Sequence, residues 1–529
     1  MDLSRDTEQP YLSRRQNWLT QLDRHSLMQP NAAALRFLGR TTTWSQLDRR
    51  VAALAGALHR RGIGSGDRVM ILMLNRPEFI EATLAANRLG AIAVPVNFRL
   101  TPPELAYLVD NSCSSVLITE PMLAPIAAAV RDITSVLSTV IVAEAQSDEI
   151  VLGYEDLIAE EGSPAPIVDI AGDSPALIMY TSGTTGHPKG AVLTHANIAA
   201  QATCAIYSSG PDINNDVGFI GVPLFHIAGI GGMFPAMTLG TPVVIHPLGG
   251  FDPGDLLNVL AAERVTGIFL VPAQWQVVCA EQQARPRDLC LRTLSWGAAP
   301  ASDTLLRQMS QTFPDAKILA AFGQTEMSPV TCMLLGEDAI RKLGSVGKVV
   351  PTVSARIVDE NMHDVPIGEV GEIVYRAPTL MAGYWNNPQA TAEAFADGWF
   401  HSGDLVRSDE EGYIWVVDRK KDMIISGGEN VYCAEVENVL AAHPAIVEVA
   451  IIGRAHEKWG EVPVAVAAIN AADLRLEELA DFLNDRLARY KHPKVLEIVD
   501  SLPRNPAGKV LKNELRVRFG ASAKPGEGQ

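Results

Sequence analysis

The amino-acid sequence predicts an α/β fold with more than one domain, and three observations support this prediction. The chain has 529 residues, which is longer than one hydrophobic core usually organises. In its first part, short apolar runs alternate with segments of helical periodicity, as in βαβ units with buried parallel strands. After about Pro351 the runs alternate between apolar and polar residues, which favours a small antiparallel sheet or barrel. We therefore expect a large N-terminal domain of βαβ-type sheets with a small barrel-like subdomain, followed by a small, mobile α+β domain.

The spacing of apolar residues predicts the elements of the N-terminal part in order. Leu47, Val51, Leu54 and Leu58 recur at helical spacing, and Gly62 ends that helix. Continuous apolar runs predict buried strands, and a proline begins the helix between the first two of them. The predicted strands cover residues 69–74, 91–96, 115–119, 136–142 and 176–180, the helix covers residues 77–89, and the same rhythm returns over residues 243–270.

A charged segment separates the C-terminal part from the rest. The run from Asp418 to Asp422 contains five charged residues in succession and suits a poorly packed hinge. The expected limits are residues 1–418 for the N-terminal domain, 419–422 for the hinge and 423–529 for the mobile domain. Before the hinge, strands are predicted over residues 353–359, 371–376 and 412–417. After it, helices are predicted over residues 434–442 and 476–490.

Composition and charge exclude several classes of protein. A hydrophobic content of 47% with 20% charged residues is ordinary for a soluble globular enzyme. The net charge of −17 argues against nucleic-acid binding, and also against broad adsorption to an anionic membrane. The six cysteines are scattered without a Cys-x-x-Cys pair, which indicates reduced thiols, a cytoplasmic location and no zinc site. Residues 1–15 contain no apolar signal segment.

One long apolar region, residues 218–249, could be mistaken for a membrane span. Prolines, histidines and many glycines interrupt it, whereas a span needs roughly 20 continuous apolar residues. We therefore expect a buried strand, a loop and a short helix that line a pocket.

The segment from Tyr180 to Gly190, with the sequence YTSGTTGHPKG, predicts a polyphosphate-binding loop. Its glycines let backbone N–H groups approach phosphate oxygens, its hydroxyls add donors, and Lys189 adds a positive charge. An apolar strand precedes it, so the loop lies at the strand end where ligands gather in α/β sheets. A nucleotide triphosphatase P-loop is excluded, because Pro188 precedes the lysine and Gly190 follows it. A plain surface linker is the alternative, and the apolar runs on both sides disfavour it.

Three further motifs place reactive side chains on short loops. Residues 322–326, FGQTE, bring an aromatic ring, a hydroxyl and a carboxylate together after an apolar strand. Residues 402–404, SGD, form a predicted turn that carries one acid. Residues 502–509, LPRNPAGK, form a rigid, proline-bounded loop that presents one lysine.

Taken together, these motifs resemble the adenylate-forming superfamily of acyl-CoA synthetases, adenylation domains and luciferases. The resemblance runs from about Asn31 to Leu515. Residues 418–437 and 381–404 are most similar to bacterial fatty-acyl-CoA synthetases, particularly the actinobacterial fatty-acid–CoA ligases. Four motifs in this order are far more specific than any one of them.

The resemblance implies a role for each matching residue. Lys509 would bridge the substrate carboxylate and the phosphate, Glu326 would hold Mg²⁺, and Thr325 would lie near the α-phosphate. Asp404 would bind ribose with Arg419 nearby, and Lys421 would be the hinge. The implied ATP and AMP contacts are Thr181, Ser182, Gly183, Thr184, Thr185, Gly186, Lys189, Gly297, Ala298, Ala299, Phe322, Gly323, Asp404 and Arg419, and the implied acyl and CoA contacts are His226, Gly229, Trp296, Gly427 and Gly428.

The resemblance also implies the activity, which is that of a fatty-acid–CoA ligase that uses ATP, Mg²⁺ and CoA. The expected acyl pocket (residues 225–233, 272–275, Trp296, Ala320 and Met327) contains no Lys or Arg to pair a second carboxylate, so a hydrophobic monocarboxylic acid is expected. An aryl acid is the runner-up, and loading of a carrier protein or non-catalytic lipid binding are further alternatives. Phe322 replaces a frequent Tyr, and Trp296 replaces a small residue. Membrane contact and a homodimer are left open.

Overall fold

The computed structural model describes residues 15–148, 151–181, 188–297, 301–336, 338–426, 429–456, 458–470, 473–484, 486–504 and 510–520. Packing divides the chain into two compact units. The first contains Met1–Ser354 and Arg376–Gly398, and the second contains Ala355–Tyr375 and Trp399–Gln529. This division differs from the expected limit at residue 418, and the hinge at residues 419–422 stays a prediction.

The strands of the first unit up to residue 349 are β1 Ala33–Phe37, β2 Arg40–Thr43, β3 Arg68–Leu72, β4 Ile92–Pro95, β5 Val116–Thr119, β6 Thr139–Val142, β7 Leu152–Gly153, β8 Pro175–Thr181, β9 Lys189–Thr194, β10 Gly218–Ile220, β11 Val243–Ile245, β12 Gly267–Leu270, β13 Thr293–Gly297, β14 Lys317–Gly323, β15 Val330–Leu334 and β16 Lys348–Val349. Those that follow are β17 Ser354–Val358, β18 Gly371–Arg376, β19 Gly383–Tyr384, β20 Phe400–Ser408, β21 Ile414–Arg419, β22 Ile424–Ser426, β23 Glu429–Val431, β24 Ile446–His456, β25 Gly460–Ile469 and β26 Val495–Ile498.

The α-helices are α1 Trp18–Met28, α2 Trp44–Arg60, α3 Pro77–Arg88, α4 Pro102–Ser112, α5 Ala124–Ile133, α6 Tyr154–Ala159, α7 His195–Ser209, α8 Ile227–Ile230, α9 Met233–Leu239, α10 Pro253–Ala262, α11 Pro272–Ala284, α12 Asp303–Thr312, α13 Pro388–Ala394, α14 Cys433–Leu440, α15 Leu476–Leu483 and α16 Lys512–Phe519. Short 3₁₀ turns cover Thr325–Met327, Ala396–Gly398 and Arg489–Lys491. Among the described residues, no helix is long and apolar enough to cross a membrane.

An eight-stranded sheet is the largest element of the first unit. Its order is β19-β9-β8-β4-β3-β5-β6-β7, and the strands from β8 to β7 run parallel. β9 and β19 run antiparallel at one edge. The βαβ rhythm of the sequence is thus confirmed. The core on one side of this sheet includes Met70, Leu72, Val94, Leu117, Ile178 and Val192.

Two smaller sheets complete the first unit. One has the order β10-β11-β1-β2, and the other the order β12-β13-β14-β15-β16. In the second of these, β12, β13 and β14 are parallel, and β15 and β16 continue antiparallel. The apolar region at residues 218–249 forms β10, α8, α9 and β11, as expected.

Helix α2 shows why the apolar spacing was a reliable guide. Thr43 and Gln46 form a capping box at its start, so two N–H groups without helical partners are satisfied. Leu47, Val51 and Leu54 are fully buried on one face. Gly62 has φ +86° just beyond the end, a left-handed conformation that glycine adopts readily.

The second unit contains two sheets of its own. The sheet β17-β18-β20-β21 confirms the small antiparallel sheet expected after Pro351, with β20 antiparallel to both neighbours. The other sheet has the path β23-β22-β25-β24, and β26 pairs parallel with β25. Helices α14 and α15 contribute Val436, Leu440, Leu479 and Leu483 to the core on this sheet.

Three local expectations are wrong. The helix expected over residues 476–490 ends at Leu483, because Asn484 turns to extended backbone. Residues 402–404 belong to strand β20, where Gly403 at φ +71° makes an irregularity within the strand, and do not form a turn. The charged run is not poorly packed, since Asp418 and Asp422 are both buried.

Candidate active site

The predicted phosphate loop joins two antiparallel strands of the large sheet. Thr181 is the last residue of β8 and Lys189 is the first residue of β9, and the two are paired across the hairpin. The Thr181 hydroxyl donates to the Lys189 carbonyl at 3.4 Å. The hairpin therefore fixes the base of the loop. Ser182, Gly183, Thr184, Thr185 and Gly186 lie outside the described residues, so their phosphate contacts stay predictions.

The FGQTE motif, residues 322–326, lies at the end of β14 and in the turn that follows it. Phe322 and Gly323 are the last residues of the strand, and Thr325 begins a 3₁₀ turn. A Cβ at Gly323 would lie 1.9 Å from the Pro329 carbonyl oxygen, so only glycine fits there. The Gln324 N–H donates to the same carbonyl at 2.9 Å. This closed loop leaves Glu326 buried, with 8% of its surface exposed.

Glu326, Tyr384 and Lys189 form one connected group. The Tyr384 hydroxyl donates to Glu326 Oε1 at 2.9 Å. The Lys189 ammonium lies 5.3 Å from the centroid of the Tyr384 ring, within the range of a cation–π contact. Burial raises the pKa of Tyr384, and the Glu326 carboxylate raises it further. The phenol is therefore protonated at neutral pH and donates to the carboxylate.

The predicted adenine slot begins at the end of β13. Gly297 is its last residue, and a Cβ there would lie 2.4 Å from the Ala321 carbonyl on β14. The glycine thus allows the two strands to approach closely. Ala298 and Ala299 lie outside the described residues. Trp296 is 5% exposed, and its indole N–H has no hydrogen-bond partner in the described part of the chain.

His226 and Gly229 lie on the loop that begins α8. His226 Nδ1 accepts a hydrogen bond from the Ala228 N–H at 3.2 Å, so the ring caps this short helix. Burial lowers the pKa of His226, which favours the neutral ring that this acceptor role needs. A Cβ at Gly229 would lie 2.1 Å from the Pro223 carbonyl, so this glycine is required for the fold of the loop.

Asp404 and Arg419 are brought together in the second unit. They are paired residues on β20 and β21, and Arg419 Nε lies 2.6 Å from Asp404 Oδ1. Lys421 follows in the turn after β21, and burial lowers its pKa. The position of Lys421 agrees with the predicted hinge but does not test rotation. Gly427, Gly428 and Lys509 lie outside the described residues, and their roles stay predictions.

Three positions were missed from the sequence. Tyr384 lies in the segment 381–404 that carries part of the family resemblance, but no role was assigned to it. Asn75 holds the loop before α8, because its Nδ2 donates to the Val222 carbonyl at 3.0 Å and its Oδ1 accepts from the Leu224 N–H at 2.8 Å. Glu372 accepts from the Gly403 N–H at 3.0 Å and from the Lys420 ammonium at 3.1 Å.

The donor set at Glu326 fits a magnesium ion that arrives with a nucleotide. Within the described ranges, no group of three His, Cys, Asp or Glu residues could hold a metal ion by itself. Mg²⁺ is commonly held by one or two carboxylates and by substrate phosphates, so a single buried carboxylate is sufficient protein ligand. Glu326 is such a carboxylate, and Oε2 is the oxygen that Tyr384 does not engage.

Models of known families match both parts of the chain. The family described as AMP-binding enzyme matches residues 22–385. The chain belongs to this family. A second model, described as AMP-binding enzyme C-terminal domain, matches residues 435–509 of this AMP-binding enzyme.

Relatives with assigned substrates are similar over nearly the whole chain. Feruloyl-CoA synthase of Amycolatopsis sp is 40% identical over 502 residues, which cover 94% of this chain and 98% of the relative. Indoleacetate–CoA ligase of Aromatoleum aromaticum is 38% identical over 499 residues, with 94% and 96% covered. A long-chain-fatty-acid–CoA ligase of Mycobacterium tuberculosis is 35% identical over 485 residues, with 91% and 93% covered.

Solved structures confirm the predicted fold class of this AMP-binding enzyme. The o-succinylbenzoate CoA synthetase of Bacillus subtilis, in complex with its acyl-adenylate intermediate, has a TM-score of 0.85 and 31% identity, with 97% of this chain and 99% of that chain covered. The same enzyme with ATP and magnesium ion has a TM-score of 0.84 and 31% identity, with 94% and 99% covered.

Proposed function

We propose that this protein is an AMP-forming CoA ligase that activates a hydrophobic monocarboxylic acid. The observation that carries the proposal is the group of Glu326, Tyr384 and Lys189 at the base of the predicted phosphate loop. A buried carboxylate and an ammonium beside the predicted phosphate loop support the binding of a polyphosphate and its metal ion. Membership of the AMP-binding enzyme family supports the same reaction.

The first half-reaction converts the acid into a mixed anhydride. A carboxylate oxygen attacks the α-phosphorus of ATP, the bond from that phosphorus to the bridging oxygen breaks, and pyrophosphate leaves. Two anions must be held together, so positioning and charge stabilisation dominate. Lys189 and the loop would bind phosphate oxygens, and Lys509 would hold the attacking carboxylate. When bound, Mg²⁺ supplies neutralisation of phosphate charge, and Glu326 is the residue that would hold it.

The second half-reaction transfers the acyl group to CoA. The thiol sulfur attacks the acyl carbon, the bond from that carbon to the AMP oxygen breaks, and AMP leaves. Lys509 is needed only for the first step, because the carboxylate charge that it pairs has been consumed. We therefore include in the proposal a rotation about Lys421 between the two steps, which would bring Gly427 and Gly428 to the thiol.

For the acid itself, we propose an aryl acid ahead of a fatty acid, which reverses the order expected from the sequence. Trp296 supports this choice, because its buried indole N–H has no partner among the described residues and can donate to a ring oxygen of a substrate. A plain alkyl chain would leave that donor without an acceptor. The relatives named for ferulate and indoleacetate are also more similar than the one named for long-chain fatty acids.

A fatty acid stays the second candidate. Residues 218–250, from β10 through β11, contain no charged side chain apart from histidine, so nothing there opposes an alkyl chain. The long-chain-fatty-acid–CoA ligase relative supports this alternative.

One assay separates these possibilities and the other classes of function. AMP release from ATP and Mg²⁺ is measured with hydroxycinnamic, arylacetic and straight-chain acids, each with and without CoA. A CoA ligase releases AMP with CoA and forms thioester, with higher kcat/KM for the aryl acids. An enzyme that loads a carrier protein accumulates adenylate and ignores CoA. Absence of AMP and of pyrophosphate exchange with every acid would reject the ligase proposal.

A further inference from the structure

We propose that Tyr384 is a positioning residue that orients Glu326 for the metal ion and supports Lys189 for the phosphates. The inference rests on the proposed function, because it assigns Glu326 to Mg²⁺. It adds a residue that neither the sequence motifs nor the comparisons identify. Three sets of contacts support this role, and each lies within the first compact unit.

The backbone of Tyr384 is fixed to the same hairpin that carries Lys189. Strand β19 pairs with β9, with Tyr384 opposite Ala191. On either side, the Ala382 N–H donates to the Val192 carbonyl at 2.9 Å and the Trp385 N–H to the Gly190 carbonyl at 2.7 Å. The Tyr384 N–H donates to the Thr391 hydroxyl at 2.9 Å. The phenol thus has a fixed point of attachment, as a positioning group requires.

The same segment holds Glu326 at two points. The Met381 N–H donates to the Glu326 carbonyl at 2.8 Å, and the Tyr384 hydroxyl donates to Oε1 at 2.9 Å. A carboxylate on its own rotates about its last torsion with little restriction. With Oε1 engaged, that rotation is restricted and Oε2 is left for a metal ion. The hydrogen bond therefore selects which oxygen is presented.

The ring of Tyr384 also lies beside Lys189. The Lys189 ammonium lies 5.3 Å from the ring centroid. A ring face attracts a cation without neutralising it, so Lys189 is restrained while its charge stays available to phosphate. An acid in this place would form an ion pair with Lys189 and compete with the nucleotide. A tyrosine can contact both Glu326 and Lys189, because its hydroxyl donates to the carboxylate and its ring face attracts the ammonium.

Groups that orient metal ligands typically change metal affinity by about 10- to 100-fold when they are removed. Tyr384→Phe keeps the ring beside Lys189 and removes only the hydroxyl. We expect the Mg²⁺ concentration that half-saturates ATP binding to rise about tenfold. ATP binding without Mg²⁺ should be unchanged, because Lys189 keeps its ring contact. The change is measured by calorimetric titration of ATP at a series of Mg²⁺ concentrations, which requires no knowledge of the acid.

Tyr154→Phe is the matched control. Tyr154 is a fully buried tyrosine, whereas Tyr384 is half-buried, and it too donates to a carboxylate, Glu81 Oε2, at the same distance of 2.9 Å. Each variant loses one hydrogen bond from a tyrosine to a carboxylate, so each should lose stability. Only Tyr384→Phe should shift the Mg²⁺ dependence. In a Glu326→Gln background, Tyr384→Phe should add nothing further to the Mg²⁺ requirement, because it acts through that carboxylate.

The outcomes separate the two levels of the proposal. Wild-type protein that binds ATP with no Mg²⁺ dependence would overturn the assignment of Glu326 and with it the proposed chemistry. Mg²⁺-dependent binding that is identical in wild type and Tyr384→Phe would overturn the positioning role alone. An equal shift in Tyr154→Phe would show that the effect is loss of stability, and would also overturn it.

Discussion

At the scale of single residues, close backbone approach decides which positions tolerate a side chain. Gly323 and Gly297 both lie against carbonyl oxygens of a neighbouring segment, at 1.9 and 2.4 Å from where a Cβ would be. Both glycines are themselves among the predicted nucleotide contacts. The glycines of the site therefore act through packing, in addition to any contact with a ligand.

Gly323→Ala should destabilise the protein by about 2–3 kcal/mol, because the methyl group would overlap the Pro329 carbonyl and the loop that carries Glu326 must move. The melting temperature should fall, and the Mg²⁺ requirement for ATP binding should rise. Gly249→Ala is the control, since no atom lies within 4 Å of the position of its Cβ. Similar melting temperatures for both variants would contradict the packing argument.

Trp296→Phe should lower kcat/KM about fivefold to tenfold for acids with a ring oxygen, which is the value of one neutral hydrogen bond, and should leave plain alkyl acids nearly unchanged. Stability provides a second measurement. Trp275 is also buried, but its Nε1 donates to the Ser295 carbonyl at 3.0 Å. Trp275→Phe should therefore reduce the free energy of unfolding more than Trp296→Phe. An unchanged acid profile in a folded Trp296→Phe variant would place the indole in the general core.

At the scale of elements, partly buried ion pairs join helix α16 to the charged run and to helix α14. Arg516 on α16 contacts Asp422 at 2.7 Å, and Lys512 contacts Glu437 on α14 at 2.7 Å. Asp418 at the end of β21 belongs to the same cluster and accepts a hydrogen bond from the Arg419 N–H at 2.7 Å. Asp418 and Asp422 therefore anchor the two ends of the charged run in the second unit, and Lys420 and Lys421 between them are exposed.

Asp418 gives this cluster a defined dependence on pH. Burial raises its pKa to about 6, against the opposing effect of Lys512 and with a smaller contribution from Asp422. The raised folded pKa means that its contribution to stability is present at low pH and is lost as the pH rises through about 6. Cys433, Glu437, Arg419 and Arg516 complete the surrounding groups.

Asp418→Asn removes this titration. Between about pH 7.5 and pH 5, wild type should gain about 1 kcal/mol of stability relative to the variant. Urea unfolding at several pH values measures the difference. Asp252→Asn is the control, because Asp252 caps α10 and its pKa is lowered, so its difference from wild type should stay flat over this range. A flat difference for Asp418→Asn as well would contradict the raised pKa.

At the scale of the whole molecule, the proposed reaction needs two different arrangements of residues at one centre. In the proposal, Lys509 would serve the step that forms adenylate, and Gly427 with Gly428 would serve the step that consumes it. Rotation about Lys421 is the proposed exchange between them. The backbone N–H groups on either side of Lys421 both have hydrogen-bond acceptors. The Lys420 N–H donates to the Gly403 carbonyl at 2.9 Å, and the Asp422 N–H donates to the Arg419 carbonyl at 2.8 Å.

Two variants should fail in opposite half-reactions. Lys509→Ala should lose pyrophosphate exchange by several orders of magnitude and still convert supplied acyl-adenylate into thioester. Lys421→Pro should keep pyrophosphate exchange and lose thioester formation, because proline fixes the torsion that rotation uses and leaves both neighbouring donors intact. Equal loss of both half-reactions in either variant would reject the role assigned to that residue.

Periodicity and loop chemistry were sufficient to predict most of the first unit. The helix after Thr43, the strand before Thr181 and the apolar elements from residue 218 follow from spacing and capping that act over a few residues. Local rules were wrong at Gly403, because β20 pairs with β18 on both sides of the SGD sequence, at His401 and Leu405, and with β21 at Asp404. They were wrong again for Asp418 and Asp422, whose burial depends on partners far along the chain.

By itself the sequence determined the α/β class and the family resemblance, and it predicted the phosphate loop, because glycines, hydroxyls and apolar periodicity act locally. Only the tertiary structure placed Tyr384 against Glu326 and Lys189. That contact exists because β19 returns to the edge of the large sheet and pairs with β9. Strand pairing between distant segments depends on the whole packed sheet, so no local pattern around Tyr384 could reveal it.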